Sequence, residues 1–143
     1  MAGSSATATR TSNTREVKGP PTEVMVSIAY VSDDTNGTVP DVTLTGLDQY
    51  NLVEVQPVPD AVTPATTAFE IVVFDANGAE LFASGEVAVD SEARLGGHYS
   101  LGYYPCMDSS GTVELVTHAD HAVAANIGNS KELVVNLRFE KKG

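Results

Sequence analysis

Apolar and polar residues alternate with a period of two through most of this chain, as strands buried on one face require. Val24, Val26, Ile28 and Tyr30 alternate with Met25, Ser27 and Ala29. Asp33-Asp34-Thr35-Asn36-Gly37 follows as a turn, and Val42 and Leu44 against Thr43 and Thr45 predict a second strand that stops near Gly46. Leu52, Val53 and Val55 predict a third, closed by Pro57, Pro59 and Pro64, which cannot donate ladder hydrogen bonds. Phe69, Ile71 and Val73 form the strongest strand of the middle; Val72 and Phe74 make it apolar on both faces, which places it centrally. Asp75-Ala76-Asn77-Gly78 then predicts a hairpin into Glu80-Leu81-Phe82.

Beyond residue 84 the pattern weakens. Val87 and Val89 alternate with acids, Gly96-Gly97 interrupts, and His98 to Tyr104 predicts a strand ended by Pro105. Asp108-Ser109-Ser110-Gly111 turns the chain into a strand over Val113 to Thr117, and Ala122 to Ala125 reads as a single helical turn. The final strand is the cleanest: Leu133, Val135, Leu137 and Phe139 face one way and Glu132, Asn136, Arg138 and Glu140 the other, with Val134 the exception. Seven or eight short strands at turn spacings of roughly 8 to 15 residues predict an all-β fold, an antiparallel β-sandwich or jelly roll. No helical stretch is long enough for βαβ crossovers.

Residues 1–22 break with this pattern. Val17 is their single large aliphatic residue among Ser, Thr, Ala and Gly, and Pro20-Pro21 stiffens the junction that follows. A segment this polar buries too little surface to offset the entropy of ordering it. The expected organisation is therefore a flexible basic N-terminal arm, residues 1–22, and a β-sandwich domain, residues 23–143. The arm reads either as a plain disordered tail or as a segment that orders on a neighbouring subunit.

Charge sharpens the division. Between Glu23 and Ser130 the chain has one basic side chain, Arg94, against sixteen carboxylates, while Arg10, Arg15 and Lys18 sit in the arm and Lys131, Arg138, Lys141 and Lys142 near the other end. An acidic body repels phosphate backbones, so nucleic acid is not an expected partner. No apolar run approaches the roughly 20 residues of a membrane span, so no membrane partner is expected. The lone Cys106 forms no intrachain disulfide, which fits assembly in a reducing compartment.

Candidate chemistry is sparse. His118-Ala119-Asp120-His121 groups two imidazoles and a carboxylate, yet the H-E-x-x-H pattern is missing, and the cluster reads as a solvated strand end rather than a zinc site. Asp33 to Gly37 matches a calcium loop only in part. Ser109-Ser110-Gly111 lacks the nucleophile-elbow frame, Gly96-Gly97 lacks a phosphate-binding frame, and Cys106 has no neighbour in sequence that activates a thiol. Asn36-Gly37-Thr38 matches a glycosylation sequon, read as coincidental. No catalytic residue, metal or cofactor is expected. Tyr99, Tyr103 and Tyr104 are either core or interface anchors, since tyrosine buries area while keeping a polar tip.

The stretch Phe69 to Gly78, a strand leading into an Asp-x-Asn-Gly turn, and the final pair Gly111 to Thr117 and Glu132 to Phe139 resemble small structural proteins of tailed bacteriophages. The likeness covers about half the chain; Gly96 to Met107 and the Lys141-Lys142 ending depart from the pattern. The resemblance implies a non-enzymatic virion component on the capsid surface, assembled in the host cytoplasm: a head decoration or cement protein. Its partners would be the major capsid protein and itself, as a homodimer or homotrimer. Arg10, Arg15 and Lys18 are the expected contact residues of the arm. A receptor- or carbohydrate-binding sandwich on a tail fibre is the alternative, and a hydrolase using His118, Asp120 and His121 with a metal ranks last.

Overall fold

The computed structural model describes residues 4–13, 23–48, 50–87, 99–100 and 110–141. Alternation is converted into ten strands: β1 (Ser5–Asn13), β2 (Glu23–Val31), β3 (Val42–Thr45), β4 (Tyr50–Pro59), β5 (Phe69–Asp75), β6 (Glu80–Val87), β7 (Tyr99–Ser100), β8 (Ser110–Thr117), β9 (Asp120–Ala124) and β10 (Glu132–Lys141). One sheet has the order β1-β2-β10-β4-β7; the other runs β3-β8-β5-β6, with β9 also paired to β8. Every pairing is antiparallel. The two sheets pack face to face, so the fold is a β-sandwich, and no helix occurs among the described residues.

The inward positions are those the alternation selects. Val24, Val26, Ile28 and Tyr30 of β2 and Leu133, Val135, Leu137 and Phe139 of β10 meet Phe69, Ile71 and Val73 of β5 and Val113 and Leu115 of β8 in one core. Burying each such side chain contributes roughly 1.5–3 kcal/mol, so these strands carry much of the sandwich's stability. β5 lies between β8 and β6, as its two apolar faces require. Asp75 closes its turn by accepting from the Asn77 and Ala79 amides at 2.9 and 2.8 Å.

Gly37 shows how the ends of the sandwich are joined. It has φ 70°, and its carbonyl accepts from the Ile127 amide at 2.9 Å. A Cβ at this position would stand 2.1 Å from Asn126 Oδ1, so both conformation and space demand glycine. Asp33 Oδ1 accepts from the amides of Thr35 (2.7 Å) and Asn36 (3.1 Å), which makes the partial calcium loop a carboxylate-capped turn.

Three expectations are corrected. Ser5–Asn13, expected to be unstructured, is the edge strand β1, paired with β2 from Ser5↔Val31 to Asn13↔Glu23. The exposed side chains of Ser5, Thr7, Thr9 and Thr11 bury little surface, but a free strand edge offers the backbone a complete ladder, and β-branched threonines suit it. Pro57 does not close β4, which runs through it and ends at Pro59; the two prolines pair opposite Val135 and Leu133 of β10. The ladder to β10 thus runs through Pro57 and stops at Pro59. Ala122 to Ala125 is not a helical turn: Asp120–Ala124 is strand β9, returned onto β8 by a two-residue turn at His118-Ala119. Residues 1–3 and 14–22 of the arm and most of the segment from 88 to 109 lie outside the described residues.

Candidate functional site

The densest polar constellation is built where the β8–β9 hairpin meets β5 and β6. Glu70 interrupts the apolar run of β5; its neighbours Phe69 and Ile71 face the core, so by alternation its carboxylate lies on the opposite face of the sheet. It is nevertheless 3% exposed. A carboxylate that buried needs charge-bearing or hydrogen-bonding partners. His118 Nδ1 lies 2.7 Å and His121 Nε2 2.8 Å from Glu70 Oε1. The other nitrogen of His121, Nδ1, lies 2.7 Å from Oε1 of Glu80 on β6.

Local chain geometry sets this up. Residue Thr117 pairs with Asp120, and Asp120 Oδ1 accepts from the Ala122 amide at 3.0 Å, which orients the start of β9. Opposite, the β5–β6 ladder shifts register twice, between Glu70 and Val72 and between Val73 and Phe74. The first irregularity is stabilised where the Ile71 amide donates to Ser84 Oγ at 3.0 Å. Together these place one imidazole between carboxylates of two other strands. Glu80 first, then Glu70, hold the His121 imidazole above its ordinary titration range by hydrogen bonding, against the opposing effect of desolvation.

An open cleft of about 510 Å³ runs beside this cluster, lined by Phe74, Asp75, Thr112, Glu114, His121 and Ala122. Burial, and secondarily the charge of Asp41, raises the pKa of Glu114. The buried Tyr30 hydroxyl has no hydrogen-bond partner among the described residues; burial, then Asp41 and Glu114, keep it protonated. Among the described residues no group of three or more His, Cys, Asp or Glu is arranged to hold a metal ion. What the cluster can do chemically is hold and release a proton. Of the residues in it, His118 and His121 were singled out by sequence, whereas Glu70 and Glu80 were not. The signal for Glu70 was a lone acid inside the apolar run Phe69 to Val73.

The residues expected to make contacts are distributed differently. Arg10 lies on β1 and its guanidinium donates to the Thr45 carbonyl at the end of β3, so it ties the edge strand of one sheet to the edge strand of the other. Arg15 and Lys18 lie outside the described residues. The backbone of Tyr99 pairs with Val55 in the short strand β7, while Tyr103 and Tyr104 lie outside the described residues. The structure therefore brings neither the three arm cations nor the three tyrosines together as a described site.

No protein-family model matches this chain, and neither a curated protein nor a solved structure does.

Proposed function

We propose that the protein is a non-enzymatic structural component of a bacteriophage particle, a decoration or cement protein that binds the outside of the head shell. Strand β1 is the observation that carries this reading. It is attached to the sandwich through a backbone ladder, while its side chains from Thr7 to Thr11 remain exposed. A strand bound this way keeps its side chains available to a neighbouring subunit, either the major capsid protein or a second copy of this chain. Its Arg10 adds a positive charge beside an acidic body, which gives the contact a direction. Many copies on one shell would turn individually weak contacts into firm attachment through effective concentration.

The reading is tested on particles. Mass spectrometry of purified heads should find the protein, and a chain lacking residues 1–22 should be washed from them more readily than the full chain. Replacing Arg10, Arg15 and Lys18 by Ala should weaken retention partway and flatten its salt dependence. Particles without the protein, or a shortened chain retained as tightly as the full one, would rule the proposal out.

A glycan-binding module is the second reading, favoured by the open cleft that joins Phe74 to Asp75, Thr112 and Glu114. Binding on a glycan array, lost on Phe74→Ala, would move the assignment to it.

A further inference from the structure

With Glu70 and Glu80 both ionised, only one charge state of His121 satisfies its two contacts. Its two ring nitrogens face carboxylate oxygens, Nδ1 toward Glu80 and Nε2 toward Glu70, at 2.7 and 2.8 Å. A neutral imidazole has one N–H, so one of its nitrogens would turn a lone pair on a carboxylate. Only the imidazolium donates to both.

The contacts cross the sheet. Strand β9 sits on the flank of β8 away from β5, yet His121 reaches Glu70 on β5 and Glu80 on β6 beyond it. Among the described residues its other ties are the His118 Nδ1–Glu70 Oε1 contact at 2.7 Å and a short ladder. Four of the five β9 side chains are exposed, and its ladder to β8 consists of Val116↔Ala124 and Thr117↔Asp120 around a register shift. Beyond β9 the chain is anchored again, because Ala125 and Ile127 are buried in the core and the Ala125 amide donates to the Leu115 carbonyl at 3.1 Å. The movable unit is thus bounded by Thr117 and Ala125.

We propose that His121 is a proton-operated latch: its imidazolium ties the β8–β9 hairpin across β5 and β6, and loss of that proton frees the hairpin from the sheet.

The surrounding charges act in one direction. Glu70 on β5 and Glu80 on β6 bond the ring, Asp75 at the end of β5 and Glu114 on β8 line the same cleft, and Asp120 precedes it on β9. All favour the cation. His118 is the basic group nearby; it is bonded to the same Glu70 oxygen and stands largely in solvent. Because the closed-state pKa of His121 is raised above its ordinary 6.5, the latch is fully closed below 6.5. It loosens as pH rises through the raised value. This inference stands apart from the proposed role on phage particles and holds for the isolated protein.

Two readouts on the full chain test it. Ring ¹⁵N shifts from NMR should report His121 as doubly protonated at pH 6.5, with a titration midpoint above 6.5. Solvent exchange of the Ala122 and Ala124 amides, corrected for intrinsic rates, should accelerate about tenfold per pH unit between 6.5 and that midpoint, while β10 amides keep their protection. Glu80→Gln, which alters a half-exposed side chain and leaves the core intact, should move both transitions toward lower pH together. A midpoint at or below 6.5, or hairpin exchange that follows β10 across the range, would overturn the latch.

Discussion

Strands β1 and β10 flank the same strand. Each pairs with β2 in antiparallel register along its entire length, from Val31 to Glu23, one on either side. The backbone ladders are therefore matched, and what differs is where the side chains go. Along β10, Leu133, Val135, Leu137 and Phe139 are buried in the inter-sheet core. Along β1, Thr7 to Thr11 are exposed and Ala6 is the residue that packs against the core. A net gain of about 0.5–1.5 kcal/mol per hydrogen bond is offset by about 1–2 kcal/mol per residue of backbone ordering. Pairing alone thus leaves a strand close to balance, and apolar burial decides whether it belongs to the cooperative unit.

The strongest way to probe this contrast is to remove burial from the central strand. Phe139→Ala should destabilise the sandwich by about 3–5 kcal/mol, read as a lower urea midpoint with little change in slope. A loss below about 1 kcal/mol would mean that the β10 face is not the stabilising element. Removing residues 1–22 deletes β1 completely and should change unfolding free energy by about 1 kcal/mol or less, because the lost ladder and the regained chain entropy nearly cancel. If this truncation matches Phe139→Ala in effect, β1 is part of the core fold and the contrast fails.

The same difference explains what could be read from the sequence. β2 and β10 were visible because their burial is written as alternation, β5 because it is an apolar run buried on both faces, and the Asp75 to Gly78 turn because its side chain and glycine chemistry are local. β1 was not, because a strand held by its backbone needs no apolar period, and its Thr-Ser composition reads equally as loose chain. The prolines of β4 misled for a related reason: proline is excluded from a ladder only on the side where its donor is needed, and strand order is not a local property. β9 was mistaken for a helical turn because so short a segment takes its form from the ladder to β8.

The candidate site was half legible. His118 and His121 stand out by proximity, but Glu70 is 51 residues from His121 and Glu80 is 41, so the pairing arises only when β9, β8, β5 and β6 are set side by side. The buried acid within β5 was the local trace of that arrangement. Of the arm cations, Arg10 now has a structural partner in the Thr45 carbonyl. That contact adds an exposed charge-assisted bond to β1 without giving it a buried face.

Amide hydrogen exchange on the intact protein tests the separation of β1 from the sandwich most directly, because both ladders on β2 are observed in one sample. The account predicts that β1 amides exchange through local opening, roughly a hundredfold or more faster than those of β10. It also predicts that Phe139→Ala accelerates β10 exchange and leaves β1 exchange unchanged. Equal protection of β1 and β10, with both accelerating together in the variant, would contradict it.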